Sequence, residues 1–366
     1  MSPLRVLELY SGIGGMHCGL AESAVPAEVV AAVDVNTTAN QVYKYNFPDT
    51  PLWTKTIEGI SLKEFDDLAF DMLLMSPPCQ PFTRIGLQGD VTDPRARSFL
   101  YILDILPRLQ KPPMYILLEN VKGFESSIAR ENLVTALLRC GYRYQEFLLS
   151  PTCLLEDFPT CFGLVSSSTT HSSSRNVNAD LDLKSTLSDP PRDPKQDTSF
   201  LYKLETPEEL ERKQSQDNDS SIRTLDEFLE KNIGDINQYF LPSRSLLRYA
   251  LILDIVQPSS RRSTCFTKGY GHYVEGTGSV LQTATDVEIS SAYEALETVT
   301  EEEKLAKLST LKMRYFTPRE IANLHGFPPQ FGFPEKTTTK QCYRLLGNSL
   351  NVHIVAKLIT VLLQSH

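Results

Sequence analysis

The segment Asp71-Met72-Leu73-Leu74-Met75-Ser76-Pro77-Pro78-Cys79-Gln80-Pro81-Phe82-Thr83-Arg84 constrains the fold of this chain more than any other. After Asp71 its first half is apolar and uncharged, the pattern of a strand buried on both faces. Two consecutive prolines then end the strand. Each fixes its own φ and drives the preceding residue toward extended geometry, so Ser76 and Pro77 have little freedom. The chain leaves the sheet in a set direction and holds Cys79 on a stiff support. The carboxyl end of a strand in an α/β sheet is where such folds place their chemistry. A free cysteine is most often a small buried hydrophobe. The prolines and the polar Gln80 and Thr83 around Cys79 do not make a core, and the residue reads as a nucleophile.

Arg5-Val6-Leu7-Glu8-Leu9-Tyr10 reads as a first strand, followed by Ser11-Gly12-Ile13-Gly14-Gly15 and a helix over residues 16–23. Glycines at the top of a first strand let a ligand approach the backbone near a helix N-terminus. His17 stands where a dinucleotide fingerprint has its third glycine, which excludes that fingerprint. A second strand, Glu28-Val29-Val30-Ala31-Ala32-Val33, ends at Asp34, where a carboxylate suits a ribose diol. Turn and acid together point to a nucleoside-containing cofactor. A third strand is expected over residues 52–56, just before Ile57-Glu58. Residues 80–97 are polar and contain Gly86, Gly89, Asp93 and Pro94, the composition of a mobile loop able to close over a substrate. A helix over 98–109 follows. Tyr115-Ile116-Leu117-Leu118 reads as a further buried strand ending in Glu119-Asn120-Val121. Glu119 would face the same crevice as Cys79, its alternative role being a solvated strand end or a helix cap. A helix ending near Cys140 and a strand over 144–149 complete this half.

With 366 residues and 41% hydrophobic composition, the chain can bury one large core, or one plus a smaller satellite. No apolar run reaches the roughly 20 residues that span a bilayer. Met1-Ser2-Pro3 runs straight into the first strand without a signal-peptide pattern. Seven cysteines lie scattered without framework spacing and read as reduced thiols of the cytosol or nucleus. No CxxC pair or close His/Cys set suggests a metal, so none is expected. The net charge of −9 requires any nucleic-acid contact to rest on a local basic patch.

Residues 166–174 are only Ser, Thr and His, and Pro, Asp and Lys dominate onward to 198, a composition that predicts disorder over 153–199. Order is expected to resume near Phe200, with helical patterns at 225–229 and 245–255. Ser260-Arg261-Arg262-Ser263-Thr264-Cys265-Phe266-Thr267-Lys268-Gly269-Tyr270-Gly271 interleaves cations with hydroxyls, aromatics and glycines. That mixture suits phosphates and unstacked bases, with a plain surface loop as its rival. Residues 281–313 are acidic and polar and end in a helix. Thr317 and Pro318 open another as N-cap and first residue, and Gly347-Asn348-Ser349 precedes a final amphipathic helix.

Ser76-Pro77-Pro78-Cys79-Gln80-Pro81, Glu119-Asn120-Val121 and Arg344-Leu345-Leu346-Gly347-Asn348-Ser349 resemble the cytosine-5 methyltransferase family, over residues 4–152 and 200–363. Cys265-Phe266-Thr267 is similar to the hallmark of one branch, which has the fold of a DNA methyltransferase but methylates an anticodon-loop cytosine of aspartate tRNA. The resemblance implies an α/β, Rossmann-like S-adenosylmethionine-dependent methyltransferase fold: a mixed, mostly parallel sheet with helices on both faces. It implies a catalytic domain from residues 1–152 and 314–366, and a small target-recognition region over 200–313. Cys79 and Glu119 would be catalytic. Ile13, Gly14, Gly15, Asp34, Val35, Ile57, Glu58, Ser76, Pro78, Ser98, Asn348 and Ser349 would line the S-adenosyl-L-methionine site, the product being S-adenosyl-L-homocysteine. Arg84, Lys122, Arg261, Arg262, Cys265, Phe266, Thr267 and Lys268 would meet the tRNA. Binding to DNA would be weak or absent, with no membrane and no obligate protein partner, in the cytoplasm and also the nucleus.

The chemistry agrees with these residues. Carbon 5 of cytosine is a poor nucleophile until a soft thiolate adds at carbon 6. An electropositive surrounding is therefore expected to lower the Cys79 pKa, and Glu119 is expected to stabilise the protonated ring. The base must be flipped or already looped out. One departure stands out. The family follows the strand matched by residues 144–149 with another carrying an Arg-x-Arg pair that contacts the target base. Here Pro151-Thr152 leads into Cys153-Leu154-Leu155-Glu156-Asp157-Phe158-Pro159-Thr160-Cys161 and then the serine tract, with no such pair. The loss is expected to open the sheet edge, with Cys161-Phe162-Gly163-Leu164-Val165 apolar enough for a substitute strand. It leaves as alternatives a non-catalytic RNA-binding relative and a DNA cytosine methyltransferase, the latter disfavoured by Cys265-Phe266-Thr267.

Overall fold

Short apolar runs separated by amphipathic helices build a parallel sheet, since each strand must return by a crossover. The computed structural model describes residues 2–81, 89–149, 160–161, 207–273 and 276–364. Strands β1 (Leu4–Leu9), β2 (Ala27–Val33), β3 (Leu52–Trp53), β4 (Met72–Met75) and β5 (Tyr115–Leu118) lie in the order β3-β2-β1-β4-β5, every pair parallel. This is a Rossmann-like arrangement with helices on both faces. Alternation along β4 sends Leu73 and Met75 to one face and Met72 and Leu74 to the other. The first face is covered by α4 (Arg97–Ile105) and α5 (Ile128–Arg139), through Phe99, Ile102, Leu133 and Leu137. The second is covered by α1 (Gly15–Glu22) and α2 (Thr37–Asn46), through Met16, Leu20 and Tyr43. Between them in sequence, α3 (Leu62–Leu68) opens with a capping box of Ser61 and Glu64.

The strand expected over 144–149 does not form. Residues 142–149 have no regular structure, and Tyr144, Phe147 and Leu148 are exposed. A strand at a sheet margin is held only by its neighbours, and the partner that family members supply next is missing from this sequence. Consequently, among the described residues, β5 is an edge paired only with β4, and all four of its residues are partly exposed. Thr160–Cys161 (β6) does become a strand, but it pairs with Arg262–Ser263 (β8), away from the main sheet. Apart from residues 160–161, the segment expected to be disordered and the substitute strand lie outside the described residues.

A second, smaller sheet combines β7 (Ile255–Val256), β9 (Val280–Gln282) and β10 (Met313–Arg314). Helices α6 (Pro207–Asn218), α7 (Ser243–Tyr249), α8 (Ile289–Tyr293) and α9 (Glu301–Thr310) accompany it. The helical pattern at 245–255 thus ends early, because residues 255–256 are claimed by that sheet. Leu246, Tyr293, Leu308 and Met313 share its core. Thr317 caps α10 (Pro318–Leu324) with Pro318 in the first turn, as the sequence predicts. The capping-box acid Glu320 also takes a bidentate, fully buried contact from Arg314, both at 2.7 Å. After α11 (Thr339–Leu346), helix α12 (Val352–Gln364) returns to the main sheet and lies across α1, where Gly19 leaves room for Val355.

Candidate active site

The strand order reverses between β1 and β4, and a crevice opens at the carboxyl ends of the strands at such a point. Above β1 the chain turns through left-handed conformations at Tyr10, Gly12 and Gly14, with φ of 57°, 51° and 92°. Glycine adopts this geometry freely and tyrosine does not. Tyr10 is held there by two neighbours: its hydroxyl donates to Ser98 Oγ at 2.9 Å, and its carbonyl accepts from Ser76 Oγ at 3.4 Å. Asp34 supports the turn from β2, its carboxylate accepting from the amides of Gly12 at 2.8 Å and Asn36 at 2.7 Å. Burial still pushes the Asp34 pKa above its ordinary value. Ile57 is buried at the start of a short 3-10 turn and Glu58 beside it is exposed; the charges of Glu58 and Asp34 both act on Tyr10. From the far end of the sequence, Ser349 Oγ reaches Gly15. The structure thus sets Asp34, Glu58, Ser76 and Ser98 around Tyr10, a residue that no sequence motif marks, and brings Ser349 onto Gly15 of the turn that follows it. Val35 and Asn348 are exposed.

Cys79 and Glu119 rise from adjacent strands. Met75 pairs with Leu118, and the Glu119 amide continues the ladder by donating to the Met75 carbonyl at 3.0 Å. Asn120 Nδ2 then reaches the Pro77 carbonyl at 3.3 Å, tying the end of β5 to the proline turn below Cys79. Burial pushes the Glu119 carboxyl up to about 7. Cys79 departs from the sequence expectation: its thiol is raised above the ordinary value, not lowered. Burial dominates and the Glu119 charge adds to it, outweighing the opposite pull of Lys268 and Arg95. Arg95 is partly spent on Asp93, at 2.5 Å.

The basic segment divides. Arg262 does not face solvent: it is buried, ion-paired to Asp254 at 3.1 Å and near Asp217 at 3.7 Å. Asp254 also takes Lys213 and Ser279, both within hydrogen-bonding distance. The Arg261 guanidinium donates to the Ile222 carbonyl. Phe266 is buried against Tyr270, Phe316 and His325 rather than offered to a base. Arg262 and Phe266 are thus corrected from RNA contacts to packing residues: Arg262 is held in a buried ion pair, and Phe266 joins the cluster of Phe316, Ile321 and Tyr343. Cys265 and Lys268 are exposed and Thr267 half-buried. Lys122, after β5, is exposed, and Arg84 lies outside the described residues. The segment also meets the loop before α12: a β-carbon on Gly347 would collide with the backbone of Thr267 and Lys268. Only glycine admits that approach, and no local sequence signal reveals it.

The family model of the C-5 cytosine-specific DNA methylases matches residues 4–151 and 157–364. The chain belongs to this family. As a cytosine-5 methylase it can be set beside named relatives. A human protein named tRNA (cytosine(38)-C(5))-methyltransferase is 57% identical over 395 residues, covering 99% of this chain and 100% of that protein. A Dictyostelium discoideum protein named DNA (cytosine-5)-methyltransferase is 39% identical over 381 residues, covering 99% of this chain and 95% of that one. The crystal structure of the Schizosaccharomyces pombe Dnmt2 methyltransferase covers 100% of this chain and 99% of its own, with a TM-score of 0.72 at 32% identity. The family match breaks between 151 and 157, where the Arg-x-Arg strand is expected. The human alignment is also longer than this chain, so it opens gaps within it.

Cytosine-5 methylases use S-adenosylmethionine as methyl donor. The residues here fit that molecule. Among the described residues, the buried Ser11 Oγ and Asn351 Nδ2 have no hydrogen-bond partner, and both flank the glycine turn that meets Ser349 and Leu350. Polar atoms left so are costly unless a ligand or water completes them. Asp34 and Glu58 would hold the ribose of that molecule as acceptors.

Proposed function

We propose that this methylase acts on transfer RNA, transferring a methyl group to carbon 5 of an anticodon-loop cytosine, cytosine 38 of aspartate tRNA, through a covalent adduct with Cys79. The pairing of Cys79 with a carboxyl that holds its proton near neutrality, at the ends of β4 and β5, carries the reading. The names of the human and Spodoptera frugiperda relatives support the substrate.

In this mechanism Cys79 Sγ, as thiolate, bonds to carbon 6 of the cytosine. Glu119 gives its proton to ring nitrogen 3, so the electron pair displaced from the 5,6 double bond makes carbon 5 nucleophilic. S-Adenosylmethionine, when bound, supplies the methyl group. Loss of the carbon 5 proton to a base then expels Cys79 and returns the ring to aromaticity. Glu119 recovers its proton state as nitrogen 3 is released. Lys268, the exposed cation whose charge acts on Cys79, stabilises the thiolate before attack.

Single-turnover assays with labelled cofactor on aspartate tRNA and on duplex DNA test the reading. Transfer to tRNA at carbon 5, lost in Cys79→Ala together with the denaturant-resistant complex on 5-fluorocytosine RNA, is the expected result. Transfer to DNA alone would favour the DNA reading. A Cys79→Ala variant that still forms the complex would remove the nucleophile.

A further inference from the structure

Beneath the glycine turn lies a carboxyl that the mechanism does not use. Glu8, on β1, is fully buried. Its Oε2 accepts from the Tyr43 hydroxyl at 2.8 Å, and its Oε1 accepts from the His17 amide at 3.3 Å. Tyr43 Oη also lies 2.8 Å from His17 Nδ1, closing a triangle between β1, α1 and α2. The His17 ring is stacked on Phe47 with centroids 3.8 Å apart and planes 9° from parallel. Phe47 in turn occupies the space a side chain would need at Gly14, the left-handed residue of the cofactor turn. A continuous packed path therefore runs from Glu8 through His17 and Phe47 to Gly14.

We propose that Glu8 is a positioning residue for the adenosyl cofactor: it holds His17 and Tyr43, and through Phe47 fixes the glycine turn in its binding conformation. The inference rests on the cofactor assignment above but concerns residues that do not touch the ligand. The charge state follows from the surroundings. Burial pushes the Glu8 pKa up to about 8, with the Asp34 charge adding to the shift and the Tyr43 and His17 hydrogen bonds opposing it. The titratable groups facing it are His17 and Cys18 from α1, Tyr43 from α2 and Asp34 from β2. Burial lowers His17 to about 4, so the imidazole is neutral across the working range. None of these groups supplies a cation. Ionisation of Glu8 thus places an uncompensated negative charge under the turn, and cofactor binding weakens as pH rises through about 8.

The test is calorimetric binding of S-adenosylhomocysteine to the full-length protein from pH 6 to 9, alongside cofactor and tRNA KM values. Glu8→Gln keeps the neutral shape and should bind as the unmodified protein does at pH 7, while losing the decline above pH 8. Glu8→Ala should bind roughly tenfold more weakly, the scale of one buried polar group left unpaired, with the tRNA KM unchanged. Tyr43→Phe, which removes one hydroxyl and keeps the ring, gives a second reading should the alanine variant not fold, and should weaken binding in the same direction. Unchanged affinity in Tyr43→Phe, or an unaltered pH decline in Glu8→Gln, would overturn the inference alone. Failure of the unmodified protein to bind S-adenosylhomocysteine at any pH would overturn the cofactor assignment and the inference with it.

Discussion

Gly347 lies in backbone contact with Thr267, 80 residues earlier in the chain, with no room for a β-carbon between them. That contact joins the loop before α12, which carries Ser349, to the segment that carries Lys268, whose charge acts on Cys79. Together with the packing of Phe266 on Phe316 and of Tyr270 on Tyr343, this close approach fixes the segment 266–271 against the loop that carries Ser349.

Gly347→Ala is expected to force that loop away. Overpacking of this kind costs about 1–3 kcal/mol, and Lys268 would lose its position. Thermal denaturation should show the destabilisation, and single-turnover methylation should fall more than cofactor affinity does. A variant with unchanged melting and rate would show that the two segments are not coupled.

The reactive form needs a Cys79 thiolate beside a protonated Glu119. Glu119 titrates at about 7 and Cys79 above its ordinary value. Below 7 the acid stays protonated and kcat/KM should climb with the thiolate fraction. Above 7 loss of the Glu119 proton cancels further gain, and the profile should flatten. Glu119→Gln should be severely slowed yet keep climbing through 7. A break near 7 that survives in the glutamine variant would assign it to another group.

Glu119 also links stability to pH. Its folded-state pKa lies above the unfolded value, so the stability it contributes is complete below about 4.5 and is lost as pH rises through about 7. Glu8 acts in the same sense up to about 8. Urea denaturation across that range should show Glu8→Gln losing less stability than the unmodified protein. Parallel curves for the two would contradict the burial argument.

The exposed and the buried cations should separate into two classes. Lys122→Ala and Lys268→Ala should weaken tRNA binding and flatten its salt dependence by about 0.7–0.9 in logarithmic slope for each phosphate no longer neutralised. Arg262→Ala should instead destabilise the fold by about 1–3 kcal/mol, because it takes a buried guanidinium from Asp254 and leaves that carboxylate to Lys213 and Ser279. A normal melt for Arg262→Ala with a changed salt slope would return that arginine to the RNA surface.

Among the described residues β5 is left as an open edge, and this predicts a weaker enzyme than its relatives. Grafting a family-type Arg-x-Arg strand after Pro151 should raise both the melting temperature and the rate on tRNA, by pairing the edge and supplying cations for the target base. Equal melting and equal rate before and after the graft would show that the strand is dispensable here.

The strands were legible because parallel strands buried on both faces are continuous apolar runs, and the chemistry sits where those runs stop at Cys79 and Glu119. The capping box at Thr317 was legible for the same local reason, and the one at Ser61 and Glu64 carries an equal signal in its residues. What escaped was non-local. Arg262 shows its charge in the sequence but not Asp254, the partner that removes it from solvent. Cys79 shows its prolines but not the burial that raises its thiol. Residues 144–149 have the composition of a strand, yet a strand also needs a neighbour.

The seating of α12 on α1 bears on how the polypeptide reaches its native state. Glu22 meets His353 at 2.5 Å across a separation of 331 residues, and Gly19 receives Val355. During synthesis, β1 and α1 leave the ribosome long before the helix that covers them. The α12 side of the central sheet stays unsealed until α12 itself has been made, more than 300 residues after α1. Contacts of such sequence separation slow folding and leave apolar surface exposed meanwhile. In a refolding experiment, protection of the α1 amides should therefore appear late, together with that of α12 and after that of α4 and α5.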